Sequence, residues 1–199
     1  MNIRKDDVLE VPPTNDSKAP VLELFRNGRA MSTVMFWIAF FCCLLMVYAL
    51  GSWLPKLMSN AGYALSSSLM FLMVLNVGAI VGAVGGGWLA DRLSLRSVLV
   101  TFFIMASASL VMLGYDSPMW FLYTLVGIAG ATTIGSQILL YAYVAQYYPT
   151  AIRSTGLGWA SGIGRNGAIV GPLLGGALLA TAMPHHMNFL ALAVPGALF

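Results

Sequence analysis

The chain has 199 residues, of which 59% are hydrophobic and 9% are charged. An ordinary soluble domain carries about 25% charged residues, so this composition excludes a water-soluble globule. The net charge of +3 at pH 7 fits basic loops at a membrane surface and gives no reason to expect nucleic acid as a partner. The composition predicts an all-α polytopic membrane protein whose first partner is the lipid bilayer.

Residues 1–30 are polar and contain Pro12, Pro13 and Pro20 among charges of both signs. They predict a cytoplasmic tail, or a linker between two bundles, rather than a secretory signal. Residues 31–199 predict a transmembrane bundle of six helices. Five segments are long enough to cross a bilayer, at about 32–53, 66–89, 98–114, 119–145 and 155–182. The sixth, 187–199, is shorter than the hydrocarbon core, so we expect an incomplete last helix.

Basic residues lie on alternate connections between these segments. Six lie on the side of the tail and one lies on the opposite side; the six are Lys18, Arg26, Arg29, Arg92, Arg96 and Arg153, and the one is Lys56. The positive-inside rule then predicts a multi-pass protein of the plasma membrane with its N-terminal tail in the cytoplasm.

Glycines recur every four residues in the second and fifth segments, as Gly78, Gly82 and Gly86 and as Gly167, Gly171 and Gly175. This spacing places each set on one helix face, where a neighbouring backbone approaches closely. It predicts tight helix packing, which also suits bundles that rock against each other in a transporter.

The second segment ends in GGGWLADRLSLRSVL, residues 85–99. This stretch resembles the Gly-x-Leu-Ala-Asp-Arg-x-Gly-Arg-Arg signature of major facilitator superfamily transporters, with Ser94 and Leu95 as departures from it. A carboxylate beside two arginines at a helix end predicts a charge latch between bundles, formed by Asp91, Arg92 and Arg96. The alternative is that these residues only anchor the topology. Arg153, in the fourth connection, is a further candidate for gating.

A longer stretch, residues 147–176, resembles the tenth-to-eleventh helix region of the aromatic acid:proton symporter family and its metabolite:proton symporter relatives. The likeness rests on Tyr148, Pro149, Thr150, Arg153, Gly156, Gly158, Trp159, Gly162, Gly164, Arg165, Gly167, Gly171, Pro172, Gly175 and Gly176. It extends in outline over residues 22–199. It implies a six-helix bundle equivalent to helices 7–12 of the major facilitator fold, with an N-terminal half, or a second copy of this chain, as partner.

Arg165 is the single charge in SGIGRNGAIVGP, residues 161–172. If its helix starts near Thr155, Arg165 lies about 15 Å deep, near the bilayer midplane. A central arginine costs roughly 2.5 to 3.5 kcal/mol, so an anionic partner is expected. The acids of residues 32–182, Asp91 and Asp116, lie at helix ends. The partner is then a substrate carboxylate or an acid outside this chain; backbone carbonyls or a lipid headgroup are the structural alternatives.

Other polar and aromatic groups lie at membrane depth. Asn76, Gln137 and Asn166 predict hydrogen bonds either to a substrate or between helices. Tyr48 and Tyr141, with Trp53 and Tyr143 nearby, are candidates to stack on an aromatic ring, and Trp53 is equally a candidate for the interfacial belt.

The preferred prediction is the C-terminal half of a secondary transporter of small aromatic organic acids, rather than an enzyme. No metal-ligand set or nucleophile is predicted, and no cofactor is expected beyond a proton gradient as energy source. The family resemblance implies cotransport of the acid anion with a proton, through an acidic residue in the other half. Two alternatives stay open: an inactive fragment or partner-binding membrane subunit, and a transporter of a sugar, drug or other metabolite.

Overall fold

The computed structural model describes residues 20–60, 62, 64–115, 117–180 and 185–197. Within them the chain forms helices and no strand. The helices are α1 (Pro20–Glu23), α2 (Ala30–Asn60), α3 (Leu65–Arg92), α4 (Leu95–Leu113), α5 (Met119–Tyr147), α6 (Thr150–Ala180) and α7 (His185–Ala197). Residues 1–19 of the predicted tail and Asp116 lie outside the described residues.

Five of these helices, α2 to α6, are long and apolar enough to cross a membrane. The prediction of an all-α polytopic membrane protein is confirmed. The observed helices are mostly longer than the apolar segments that predicted them: α2 continues through Pro55 to Asn60, and α6 starts at Thr150 instead of near 155. Hydropathy marks only the part of a helix that lies in hydrocarbon, while the helix itself continues into the headgroup region.

Two helix pairs, α2 with α6 and α3 with α5, form the most extensive contacts in the bundle. A Cβ atom added at Gly78 would collide with the carbonyl oxygen of Gly127, and one at Gly82 would collide with that of Ala131. The same holds between α6 and α2, where Gly167 faces the carbonyl oxygen of Phe41 and Gly171 that of Leu45. Four of the six glycines singled out in the sequence therefore lie directly against the backbone of a neighbouring helix.

The other two glycines pack against aromatic side chains. Gly86 lies under the ring of Phe102 from α4, and Gly175 lies against the indole of Trp53 from α2. A methyl group at either position would press on these rings. The glycine spacing thus fixes the position of α3 and α6 against three other helices.

Thr33 lies at one end of the bundle and Trp53 lies at the other. At the Thr33 end, α2, α4 and α6 begin and α3 and α5 finish; at the Trp53 end, the directions are reversed. Thr33 joins three segments at its end: its hydroxyl donates to the carbonyl oxygen of Leu24 (2.8 Å) and lies 2.8 Å from the hydroxyl of Tyr148. Leu24 and Tyr148 are buried, so the described residues just before α2 are packed onto the connection between α5 and α6.

Candidate functional site

Arg165 is the central residue of α6, sixteenth of 31 from Thr150. A helix of that length measures about 46 Å, which puts Arg165 about 23 Å from either end. The helix begins five residues earlier than predicted and still places the guanidinium in the middle of the span. A charge at that position needs an anionic or strongly polar partner.

The bundle itself supplies no such partner among the described residues. Gly164 and Gly167 hold one face of α6 against α2, and Arg165 points from another face as an exposed side chain. No described residue forms a hydrogen bond or ion pair with it. The acid Asp91 lies in the last turn of α3, at the Thr33 end, far from the middle of α6. The guanidinium is therefore available to a group from outside this bundle.

A cavity of ≈ 410 Å³ lies beside Arg165, where α2, α5 and α6 converge. Four of the six side chains predicted to contact a substrate line it together: Arg165, Gln137, Tyr141 and Tyr48. The remaining lining residues are Leu44, Ser161, Ala168 and Ile169. One cation, two phenol rings and one amide thus share a cavity that is otherwise mainly apolar.

The two tyrosines present aromatic surface on the α2 and α5 sides of this cavity. Tyr141 packs edge to face on Phe40, with ring centroids 4.8 Å apart and planes at 83°. Both tyrosines are exposed, so part of each ring is free for a ligand. A guanidinium binds a carboxylate in a two-point fork, and an aromatic ring stacks on tyrosine. The cavity therefore has the chemistry to hold a small aromatic acid anion.

Asn166 and Asn76 lie outside this cavity. Asn166 is on the next face of α6, where its side-chain amide donates to the carbonyl oxygen of Ile163 (3.0 Å). Asn76 is exposed on α3 and donates to the carbonyl oxygen of Leu72 (2.7 Å). Each amide is bonded to its own helix, as short polar side chains often are in an apolar helix. Their predicted substrate contacts stay predictions.

Ser161 lines the cavity, although the sequence reasoning did not select it. It lies four residues before Arg165, which places both side chains on one face of α6. Its hydroxyl donates to the carbonyl oxygen of Gly158 (3.2 Å) and retains its acceptor lone pairs. The i, i+4 spacing to Arg165 was the signal that would have found it.

The residues predicted to gate lie at the Thr33 end. Asp91 and Arg92 finish α3, Arg96 lies in the first turn of α4, and all three are exposed. The guanidinium of Arg92 lies 4.4 Å from the ring centre of Trp88, a cation–π contact. Among the described residues Asp91 has no ion-pair partner, so the proposed latch is not closed within this bundle.

Ser94 and Arg153 also lie at the Thr33 end. Ser94, which stands where the signature usually has glycine, is the N-cap of α4 and accepts a hydrogen bond from the backbone N–H of Ser97 (3.2 Å). This hydrogen bond caps the first turn of α4, which begins at the next residue, Leu95. Arg153 donates to the carbonyl oxygen of Tyr148 (3.4 Å), which keeps its side chain beside the connection between α5 and α6.

Known membrane transporters are similar to this chain over most of its length. Residues 36–199 match the model of the Major Facilitator Superfamily. The chain is 49% identical over 191 residues to the benzoate transport protein of Acinetobacter baylyi, covering 96% of this chain and 41% of that protein. It is 41% identical over 177 residues to the gentisate transporter of Corynebacterium glutamicum, covering 88% of this chain and 40% of the relative.

A third relative, the 4-hydroxybenzoate transporter PcaK of Pseudomonas putida, is 35% identical over 176 residues, which is 88% of this chain and 39% of PcaK. The chain thus spans about two fifths of the length of these relatives. Their names all refer to transport of aromatic acids. With most of its length matched by the family model, this chain belongs to the major facilitator superfamily of membrane transporters.

Proposed function

We propose that this chain forms the C-terminal half of a proton-coupled secondary transporter that takes up small aromatic acid anions by alternating access. The observation that carries the proposal is the position of Arg165: in the middle of α6, unpaired within the described residues, and lining a cavity with Tyr48, Tyr141 and Gln137. The named substrates of the relatives, benzoate, gentisate and 4-hydroxybenzoate, share one carboxylate and one ring.

Each part of such an anion has a matching group in the cavity. The carboxylate pairs with the Arg165 guanidinium, which also offsets the cost of placing that charge at the midplane. The ring lies between the exposed faces of Tyr48 and Tyr141. The Gln137 amide, on the α5 wall, is placed to hydrogen-bond the carboxylate or a ring hydroxyl. A neutral sugar offers neither the negative charge nor an aromatic ring, so this cavity favours the acid.

The other wall of the binding site comes from outside this bundle, from an N-terminal six-helix half or from a second copy. Substrate bound between two bundles is exposed alternately to either side as they rock. The N-terminal tail lies in the cytoplasm and the protein lies in the plasma membrane. At the Thr33 end, Asp91, Arg92 and Arg96 bind the partner bundle and release it during the transport cycle.

Proton coupling needs an acid that titrates inside the membrane. The described residues of α2 to α6 hold their one acid, Asp91, at a helix end. We therefore assign the coupling acid to the partner bundle, and the energy source to the proton gradient with no bound cofactor.

Uptake into vesicles tests this proposal. Vesicles containing this chain together with the N-terminal half of the Acinetobacter baylyi benzoate transport protein should accumulate labelled benzoate when the outside is acidic. Vesicles with the N-terminal half alone should not, and uptake by this chain alone would mean that a second copy supplies the other wall. Arg165→Ala should abolish accumulation, while Arg26→Ala, which removes an exposed charge at the Thr33 end, should leave it unchanged. Undiminished uptake in Arg165→Ala would overturn the role of Arg165; uptake independent of the pH gradient would overturn the coupling.

A further inference from the structure

Gln137 is a polar side chain of the cavity beside Arg165 that no contact within this bundle explains. It lies on the α5 side of the cavity and is half-buried. No described residue is hydrogen-bonded to its amide, whereas the amides of Asn76 and Asn166 each donate to a carbonyl oxygen of their own helix. A polar group without a partner costs free energy in an apolar surrounding. The Gln137 amide is therefore available to a bound ligand.

The Gln137 amide and the Arg165 guanidinium lie at similar depths in the bundle. α5 ends at Tyr147 and α6 begins at Thr150, so these two helix ends lie at one level. Gln137 is about 15 Å from that level along α5, and the backbone of Arg165 is about 23 Å from it along α6. Side chains lean toward the start of their own helix. Because α5 and α6 run in opposite directions, the two side chains lean toward each other and the difference in depth shrinks.

Gln137 and Arg165 belong to opposite walls of the cavity. α6 packs mainly on α2 and α5 mainly on α3, while α5 and α6 contact each other far less. The floor consists of Leu44 and Tyr48 from α2, which packs on both helices. A ligand that pairs its carboxylate with Arg165 at the α6 wall extends its ring across this floor. The ring position para to the carboxylate then comes closest to Gln137.

We propose that Gln137 determines which aromatic acids the site prefers, by hydrogen-bonding a hydroxyl group para to the carboxylate. This assignment rests on the proposed function, in which Arg165 binds the carboxylate. An amide carries both a donor and an acceptor, and so does a hydroxyl group, so each satisfies the other. A ring without that hydroxyl leaves the amide unpaired at membrane depth. An ortho hydroxyl lies beside the carboxylate at the α6 wall and gains nothing from Gln137.

The other hydroxyl groups of the cavity are less suited to this role. Ser161 lies on the α6 wall and donates its hydroxyl hydrogen to the carbonyl oxygen of Gly158 (3.2 Å). Tyr48 and Tyr141 are 48% and 38% exposed, so water satisfies their hydroxyl groups when no ligand is bound. Tyr141 lies one turn from Gln137 on the same face of α5, which makes it the matched control for that wall.

Competition against labelled benzoate tests this role in vesicles that contain this chain and its N-terminal partner half. Unlabelled benzoate, 2-hydroxybenzoate and 4-hydroxybenzoate are the competitors, and the inhibition constant of each hydroxylated acid is divided by that of benzoate. Such a ratio does not depend on the amount of folded protein or on its transport rate. Gln137→Met keeps the length of the side chain and removes both hydrogen-bonding groups, and Gln137→Leu is a second variant that does the same. Tyr141→Phe removes a hydroxyl and keeps the ring.

Gln137→Met and Gln137→Leu should weaken 4-hydroxybenzoate relative to benzoate by about two- to tenfold, the range for one neutral hydrogen bond. The ratio for 2-hydroxybenzoate should not change in either variant, and Tyr141→Phe should keep both ratios of the parent chain. An unchanged 4-hydroxybenzoate ratio in a Gln137 variant that transports would overturn the assignment. Equal changes for both hydroxylated acids would overturn it too, since they indicate a loosened cavity.

A loss of the 4-hydroxybenzoate ratio in Tyr141→Phe alone would transfer the role to Tyr141. Failure of the proposed function gives a different result: the parent chain with its partner half would then accumulate no labelled benzoate at all. That outcome overturns the carboxylate contact of Arg165 together with the assignment of Gln137 that rests on it.

Discussion

The indole N–H of Trp53 donates a hydrogen bond of 2.7 Å to the carbonyl oxygen of Pro172. This bond joins α2 to α6 beside Gly175, which packs on the same indole. The sequence had suggested that Trp53 stacks on a substrate ring or belongs to the interfacial belt. The structure gives it a polar contact between helices, next to the proline inside α6, and both suggestions stay predictions.

Replacing Trp53 with Phe should destabilise the bundle by about 1 kcal/mol or more, because it removes this hydrogen bond and part of the ring that fills the space over Gly175. The measurement is the thermal unfolding midpoint of the purified chain in detergent. Trp120→Phe, at an indole that is 70% exposed, is the control and should shift the midpoint little. Equal shifts for the two variants would contradict the role of the Trp53 bond.

Glycine-to-alanine substitutions should destabilise the bundle where the glycine touches a neighbouring helix and should not where the glycine faces open space. Gly82→Ala puts a methyl group into the carbonyl of Ala131, whereas a methyl at Gly162 has no atom within 4 Å. Overpacking costs typically 1 to 3 kcal/mol, and alanine is a better helix former than glycine by up to about 1 kcal/mol. Gly82→Ala should therefore lower the unfolding midpoint and Gly162→Ala should leave it unchanged or raise it. A midpoint for Gly82→Ala equal to that of the parent chain would show that α3 and α5 separate without cost.

The sequence was sufficient to predict the fold class, the number of long helices and the glycine-bearing faces, because these depend on hydropathy and on a spacing of four. It could not identify which helix each glycine faces: the meeting of Gly82 with Ala131 depends on how α3 and α5 are paired in space. Helix ends were underestimated for a similar reason, since Thr150 and Asn60 lie beyond the apolar segments that hydropathy detects.

The candidate site was predictable only in part. Arg165 was identifiable as a lone charge in an apolar helix, and Tyr48, Gln137 and Tyr141 prove to share its cavity. Asn166 was selected with Asn76 and Gln137 as a polar group at membrane depth, and it lies outside the cavity because successive residues of a helix point about 100° apart. Residues that share a helix face, such as Ser161 and Arg165, line the cavity together, whereas residues that are merely consecutive in the chain do not have to.

Tyr148 should make the stability of the bundle depend on alkaline pH. Burial raises the pKa of its hydroxyl above the usual value near 10, and the hydrogen bond with Thr33 partly opposes this rise. Because the folded-state pKa exceeds the unfolded one, the contribution is complete below about pH 10 and is lost as the pH rises through the folded pKa. The unfolding midpoint of the parent chain should fall on going from about pH 8 to about pH 11.

Tyr148→Phe removes the titrating group and should weaken that fall, at a cost of about 1 kcal/mol at neutral pH for the lost bond to Thr33. Tyr115→Phe, at a tyrosine that is 61% exposed, is the matched control. If the alkaline fall is as steep in Tyr148→Phe as in Tyr115→Phe, then other groups are responsible for it.

Asp91→Asn should reduce transport by the assembled protein without unfolding this bundle. Asp91 is exposed and without an ion-pair partner among the described residues, so losing its charge removes no contact that holds α3 in place. A latch to a partner bundle would lose a charge-assisted bond, worth about 1.5 to 3 kcal/mol. Uptake of labelled benzoate should fall about tenfold or more, since about 1.4 kcal/mol corresponds to a factor of ten, with an unchanged unfolding midpoint. Full uptake in Asp91→Asn would eliminate the latch.

Arg165→Lys should distinguish a forked carboxylate contact from a simple positive charge. Lysine keeps the charge in the middle of α6 but binds a carboxylate through one point, while the guanidinium offers two parallel donors. In the assembled transporter the KM for benzoate should rise about tenfold, as expected for loss of one charge-assisted hydrogen bond. Ser161→Ala, which alters a hydroxyl of the same cavity and leaves the cation in place, should change KM less. An unchanged KM in Arg165→Lys would mean that Arg165 acts only as a charge, and that the carboxylate is positioned by other residues.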